Sequence, residues 1–266
     1  MDILVLGGDR RFTILTKMLV ARGLHARWVG DAEEGVPLAP LEAVGRAETI
    51  VLNSPLKLAG VSWENVLKES QPGTQFVFCG PQPMPAGAEG IDLSQDETFL
   101  RRNARLTAEG AIFSAAGVLE SALMDCRVLV IGWGRIGRAL AEKLLALGAK
   151  VTVASRSERN RRAAMLLGAQ AVDTSELSGA LPGHQVVFST PAVPVLGRGE
   201  LSRLDPECLV IDLASAPYGV DLEAAREKNI RAWREPGLPG RYCPESAARV
   251  LLSHILDLRK GGVRHD

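Results

Sequence analysis

The residues best suited to chemistry in this sequence are three glycines, spaced as Gly132-Trp133-Gly134-Arg135-Ile136-Gly137. In such a turn the first glycine permits a tight bend and the second lets backbone approach a pyrophosphate. The third lets a helix pack closely on the strand before it. The apolar run Val128 to Ile131 precedes the turn, and Ala139, Leu140, Leu144 and Leu145 follow at helical spacing. The turn therefore joins a strand to a helix whose N-terminal amides face an anion. This context predicts a dinucleotide cofactor held at Gly132 through Gly137. About twenty residues further on, an NAD-selective unit places Asp or Glu on the ribose hydroxyls. Here the strand ends Val153-Ala154-Ser155-Arg156, with no carboxylate. Ser155 and Arg156, followed by Arg159, Arg161 and Arg162, suit a 2′-phosphate, which predicts NADP in preference to NAD. The same basic cluster also fits a solvated helix start.

Other candidates fall where strands end, the place at which open α/β sheets bind ligands. Thr190-Pro191 follows one strand and could line the cofactor. Asp212-Leu213-Ala214-Ser215 ends another, with Asp212 as a candidate base and Ser215 as a donor to substrate. Both segments equally suit plain turns. Gly7-Gly8-Asp9-Arg10-Arg11 occupies an equivalent turn near the start, where Arg10 or Arg11 could clamp a carboxylate and Asp9 could accept a proton. A capped, solvated helix start is the alternative. Asn53-Ser54-Pro55 ends a further strand. Thr107 and Glu109-Gly110 lie on a long helical stretch, with Glu109 a candidate general acid or base, although helical Glu commonly faces solvent. The histidines, His25, His184, His254 and His265, form no nucleophile triad and no metal-ligand spacing.

These segments need a scaffold, and the pattern supplies two. Asp2-Ile3-Leu4-Val5-Leu6 is a short apolar strand, followed by Phe12, Leu15, Leu19 and Val20 at helical spacing. Strands are expected over 26–29, 49–52 and 75–78, with a helix over 62–69. Residues 94–125 read as a long connecting helix, interrupted at Gly110 and Gly117. Beyond it, strands over 127–131, 150–154, 185–189, 209–213 and 230–233 alternate with helices over 135–147, 158–167 and 222–228. The last periodic stretch, 244–258, follows the corner Pro236-Gly237-Leu238-Pro239-Gly240 and is expected to fold back on the first domain. The fold class is α/β, with two doubly wound parallel-sheet domains. The expected domains are 1–120 plus 244–266 on the substrate side, and a Rossmann domain over 121–243.

Thirty-one basic residues balance thirty-one acidic ones, so no broad field draws the chain to nucleic acid or anionic membrane. The four cysteines are widely spaced, which suggests neither a zinc ribbon nor a disulfide scaffold. No apolar run reaches the ~18 residues of a membrane span, and Met1 leads straight into the first strand without a basic leader. A cytoplasmic protein acting on a small molecule, without a metal, is expected.

Taken with these residues, the chain resembles the dipicolinate synthase A subunits of spore-forming bacteria. The resemblance rests on the Gly-Gly-Asp turn at 7–9, Thr107 with Glu109-Gly110, and the Gly132 fingerprint with Ser155-Arg156. It rests also on Asp212-Leu213-Ala214-Ser215 with Pro217, Gly219 and Asp221, and on Pro236-Gly237-Leu238-Pro239-Gly240 with Pro244. The chain departs from that family in a shorter first domain, in Arg10, and in Asn53-Ser54-Pro55-Leu56 after its strand. The resemblance implies NAD(P)-dependent oxidation of a dihydrodipicolinate-type precursor to pyridine-2,6-dicarboxylate in the mother cell of a sporulating bacterium. It also implies a partner, a flavoprotein-like B subunit, and homo-oligomers are expected. Two substrate carboxylates would want donors such as Arg10, Arg11, Thr107, Ser215 and the Gly237 to Gly240 turn. Asp9, Glu109, Asp212 or a water would take the proton. Alternatives are another two-domain dehydrogenase of 2-hydroxy or 2-amino acids, and a cofactor-binding scaffold protein.

Overall fold

The computed structural model describes residues 2–53, 56, 58–80 and 83–259. Ser54, Pro55 and His265 lie outside them. The chain divides into two compact units, Met1–Asn103 with Pro239–Asp266, and Ala104–Leu238. The division falls inside a long helix.

The first unit opens with β1 (Asp2–Leu6), α1 (Arg10–Val20), β2 (His25–Val29) and β3 (Thr49–Asn53). It continues with α2 (Trp63–Glu69), β4 (Gln75–Cys79), β5 (Glu89–Asp92) and α3 (Glu97–Ala116). All strand pairs are parallel, in the order β2-β1-β3-β4-β5. The order reverses between β1 and β3. Alternation along β1 sends Ile3 and Val5 into one core with Phe12, Leu15 and Leu19 of α1, and Leu4 and Leu6 into the core on the other face. β5 escapes sequence reading because Glu89-Gly90-Ile91-Asp92 has a single strong strand former. It is an edge strand, and Gly90 is required there: a Cβ would stand 2.0 Å from the Phe76 carbonyl oxygen.

The helix α3 runs straight through Gly110, where an interruption is expected from sequence. Packing explains why a glycine stands there, since a Cβ would come within 3.0 Å of Leu238. The helix stops before Gly117.

The second unit carries β6 (Arg127–Ile131), α4 (Arg135–Ala146), β7 (Lys150–Ala154), α5 (Glu158–Leu166) and β8 (Gln170–Val172). There follow α6 (Leu177–Ala180), β9 (Val186–Ser189), α7 (Arg198–Leu201), β10 (Leu209–Asp212), α8 (Leu222–Glu227) and β11 (Arg231–Arg234). The six strands are parallel in the order β11-β10-β9-β6-β7-β8. This is the doubly wound order of two mononucleotide-binding halves, with the switch point between β6 and β9. Both sheets thus bear out the parallel α/β fold class.

Two helices close the described residues, α9 (Leu238–Tyr242) and α10 (Pro244–Arg259). Ala248, Leu251, Leu252 and Ile255 of α10, spaced to share one helix face, are buried in the core that holds α1. Pro239 and Gly240, expected as part of a turn, lie within α9; only Gly237 keeps the left-handed backbone, with φ of 68°.

Candidate functional site

Register places the informative residues of the second unit along one edge of its sheet. Ile131 is level with Ala154 and Ser189, and Asp212 with Ser189 and Arg234. The segments that follow these strands, Gly132 to Gly137, Ser155-Arg156, Thr190-Pro191 and 213–220, all leave from that carboxyl edge.

Each glycine of the turn does something different. Gly132 has φ of 98°, and a Cβ on it would sit 2.4 Å from Thr190 Oγ1. A Cβ on Gly137 would strike the Gly132 carbonyl oxygen at 2.2 Å, so this glycine sets how closely α4 packs on the strand end. Gly134, the N-cap of α4, has ordinary extended backbone, and among the described residues, its chain neighbours aside, no atom lies within 4 Å of where its Cβ would be. Its face opens to solvent beside the N-terminus of a twelve-residue helix. That is the cradle a pyrophosphate needs: an open glycine at a positive helix end. Trp133 and Ile136 are half-buried and Arg135 is exposed. Thr190 donates its hydroxyl to the Ile131 carbonyl, 2.9 Å, and with Pro191 forms the wall against which Gly132 rests.

At the end of β7, Ser155 is buried while Arg156 is exposed. Arg161 Nη1 donates to the carbonyl oxygens of Ser155 (2.8 Å) and Arg156 (2.9 Å) and pairs with Asp173. The Asp173 carboxyl is held below its ordinary range, first by hydrogen bonds from Ser175 and then by Arg161. Arg161 is therefore a clamp on the turn. Arg162 is paired with Glu158, whereas Arg156 and Arg159 have no ion-pair partner among the described residues. Two exposed arginines thus follow the strand end where an NAD-selective unit carries its ribose-binding carboxylate.

Asp212, a candidate base, is almost completely buried and fully engaged. It accepts from the backbone N–H groups of Ala214 (3.1 Å), Gly219 (3.0 Å) and Val220 (3.1 Å). It anchors the loop 213–220, in which Ser215 is exposed. Gly219 lies so close to Ser189 that a Cβ would stand 2.1 Å from its Oγ; that hydroxyl is buried without a hydrogen-bond partner among the described residues. Sequence reading did not single out Arg234, the last residue of β11. Its guanidinium carbon lies 3.9 Å from the Tyr218 ring centroid, its Nη2 donates to the Val220 carbonyl at 3.3 Å, and its Nε is 3.8 Å from Asp212. Stacking of this kind contributes about 0.5–1 kcal/mol at an exposed site.

Glu109 is not brought to this edge. It pairs with Lys143 Nζ at 2.9 Å, on the last turn of α4. Eight residues separate Lys143 from Arg135, about 12 Å along the helix from the glycine turn. Thr107 is buried in α3. Helical position alone could not reveal either fact.

In the first unit, Asp9 caps α1 and binds Arg11 in a fork, with Nε at 2.8 Å and Nη2 at 2.7 Å from its two oxygens. Arg11 is thus committed to an internal carboxylate, whereas Arg10 is exposed at the helix start. Gly240 is the packing complement of this pair: a Cβ there would stand 2.4 Å from Asp9 Oδ2. Its requirement is close approach, while Gly237 is exposed. Of the described histidines, His184 and His254 are structural ties, while His25 is exposed. His254 has Nδ1 at 2.8 Å from the Val250 carbonyl and Nε2 at 3.2 Å from Asp96, so both ring nitrogens are occupied. Among the described residues no His, Cys, Asp and Glu cluster suits a metal, and no helix is long and apolar enough to cross a membrane.

Comparison with known proteins agrees with this geometry. Residues 98–212 match the NAD-binding domain of the D-isomer specific 2-hydroxyacid dehydrogenases. The match and the fold support an oxidoreductase that uses a nicotinamide cofactor. The A subunit of Bacillus subtilis dipicolinate synthase is 33% identical over 168 residues, 63% of this chain and 57% of that protein. The match thus spans a little over half of that relative. Solved structures of such subunits superpose along nearly the whole length. That from Bacillus halodurans has a TM-score of 0.83 at 24% identity, covering 97% of each chain. That from Bacillus subtilis has a TM-score of 0.80 at 22% identity, covering 98% of this chain and 96% of the other. The chain is therefore similar to the A subunit of dipicolinate synthase, in sequence over its matched part and in fold over nearly all of it.

Proposed function

We propose that the chain oxidises a dihydrodipicolinate-type precursor to pyridine-2,6-dicarboxylate, with NADP as the preferred acceptor. It acts as the nicotinamide-binding subunit of a dipicolinate synthase, beside a flavoprotein-like B subunit, in the mother-cell cytoplasm, and forms homo-oligomers. The observation that carries the reading is the glycine turn with its open Gly134 face at the switch point of the sheet, joined to the similarity to the dipicolinate synthase A subunits. Preference for NADP follows from Ser155 and the exposed Arg156 and Arg159 where a carboxylate would select NAD. Bound NADP supplies a hydride acceptor. The protein's part is to hold the two rings in register at the carboxyl edge, because loss of hydride and proton makes the substrate ring aromatic.

Asp9, Glu109 and Asp212 are each held by N–H donors or cations, with Arg11, Lys143 and three backbone amides respectively. One of these three carboxylates, or a water, takes the proton. Arg10, exposed at the start of α1, and Ser215, exposed after β10, stay as donors for substrate carboxylates. Purified chain, given NADP and dihydrodipicolinate generated in situ, is expected to raise the absorbance of reduced cofactor. Turnover that begins only when the B subunit is added would replace this reading with a shared site or a scaffold role. The alternative, another two-domain dehydrogenase of 2-hydroxy or 2-amino acids, commonly needs a catalytic His or Lys; of the described histidines, His254 has both ring nitrogens engaged.

A further inference from the structure

The dinucleotide spans a sheet whose first half, β6 to β8, carries the turn suited to the adenosine ribose. The second half, β9 to β11, is left for the nicotinamide and whatever reacts with it. At the carboxyl edge of that half, we propose that Arg234, stacked on Tyr218, binds a carboxylate of the substrate. This inference rests on the proposed dicarboxylate reading and assigns one of its two carboxylate contacts.

Three contacts hold the guanidinium in place. The Tyr218 ring centroid lies 3.9 Å from its central carbon, the Val220 carbonyl takes Nη2, and the Asp212 carboxylate stands 3.8 Å from Nε. Nε faces the protein, while Nη1 has no partner among the described residues. A planar fork fixed on one side and open on the other matches a carboxylate bidentately, and the fixed rotamer lowers the entropy cost of binding.

Asp212 leaves the outer nitrogens of the guanidinium open. Its oxygens already accept three backbone N–H groups, and it meets Arg234 only at the Nε side. The same carboxylate therefore fixes the loop that carries Tyr218 and orients the guanidinium above it. Tyr218 itself has φ of 68°, a left-handed backbone uncommon for a non-glycine residue. The loop accepts this conformation, and the tyrosine ring lies against Arg234.

The test is titration of the NADP-loaded protein with pyridine-2,6-dicarboxylate by calorimetry. Arg234→Ala is expected to weaken binding at least tenfold. Arg234→Lys, which keeps charge but loses the fork, should fall between it and wild type. Tyr218→Ala, which removes the stack, should weaken binding about threefold to tenfold. NADP affinity, read from cofactor fluorescence, should stay within twofold in all of these and so report intact folding. Arg231→Ala, at the amino end of the same strand, is the control expected to leave dicarboxylate binding unchanged. Wild-type affinity in Arg234→Ala overturns the assignment while leaving the dicarboxylate reading in place. Absence of dicarboxylate binding by wild type, with NADP bound, overturns both.

Discussion

Two glycines three residues apart separate the fold from the ligand. In Gly137→Ala the new methyl meets the Gly132 carbonyl oxygen at 2.2 Å, and α4 must move back by roughly 1 Å to relieve it. Overpacking of that kind costs about 1–3 kcal/mol, or about 3–10 °C in Tm for a unit of this size. In Gly134→Ala the methyl enters open space, with backbone that alanine adopts freely, so only the N-cap preference is lost, about 0.5–1 kcal/mol. The cofactor should respond in the opposite sense. Wild type at one hundred times Kd gains about 2.7 kcal/mol from the ligand. A methyl between Gly134 and a pyrophosphate should cost about 1–3 kcal/mol of affinity, about 5- to 150-fold. At the same cofactor concentration the gain then shrinks to between about 1.8 and 0.3 kcal/mol. Thermal melts with and without NADP, beside fluorescence titration of the reduced cofactor, measure both quantities. Wild-type affinity in Gly134→Ala would refute the assignment of the open face to the pyrophosphate, whatever its effect on Tm.

The β7 turn and a half-buried histidine give further tests. Arg156→Ala should weaken NADP by about 10- to 150-fold, the worth of lost charge-assisted hydrogen bonds, and leave NAD unchanged; an equal loss for both cofactors rules out phosphate reading. Arg161→Ala frees the carbonyls of Ser155 and Arg156, so it should weaken both cofactors, with loss confined to NADP counting against its role as a clamp. His184 hydrogen-bonds Thr152 and the Leu181 carbonyl, and burial pushes its pKa below the ordinary 6.5. The folded state therefore prefers the neutral ring, and its contribution is complete above pH 6.5 and lost as pH falls from there through the lowered value. Denaturant melts across that range should show stability falling toward acid, and a His184→Asn variant should show a shallower fall; equal slopes would place the dependence elsewhere.

How far this site can be read from sequence depends on whether a residue's task is set by its own chain or by a neighbour. Gly132, Gly134 and Gly137 are legible because the tasks of a strand–turn–helix lie within six residues, and strands such as Val128 to Ile131 announce themselves by unbroken apolar character. β5 is not legible, because pairing with β4 and not propensity makes Glu89 to Asp92 a strand. The carboxylates show the same divide. Asp9, Glu109 and Asp212 look alike in sequence as candidate bases, but their partners are Arg11, Lys143 and the amides of a loop that closes seven and eight residues later. Only the nearest of these pairings could be guessed from spacing. Arg234 stayed hidden for a related reason: nothing around it in sequence marks a site, and its meaning comes from Tyr218, sixteen positions earlier, which parallel pairing of β10 with β11 carries to the same edge. In a parallel sheet every strand delivers its carboxyl end to one edge, so side chains from distant segments meet there as a consequence of topology. The next residues to probe for substrate contact are therefore those at the ends of β9, β10 and β11, ahead of any acidic residue picked for its chemistry alone.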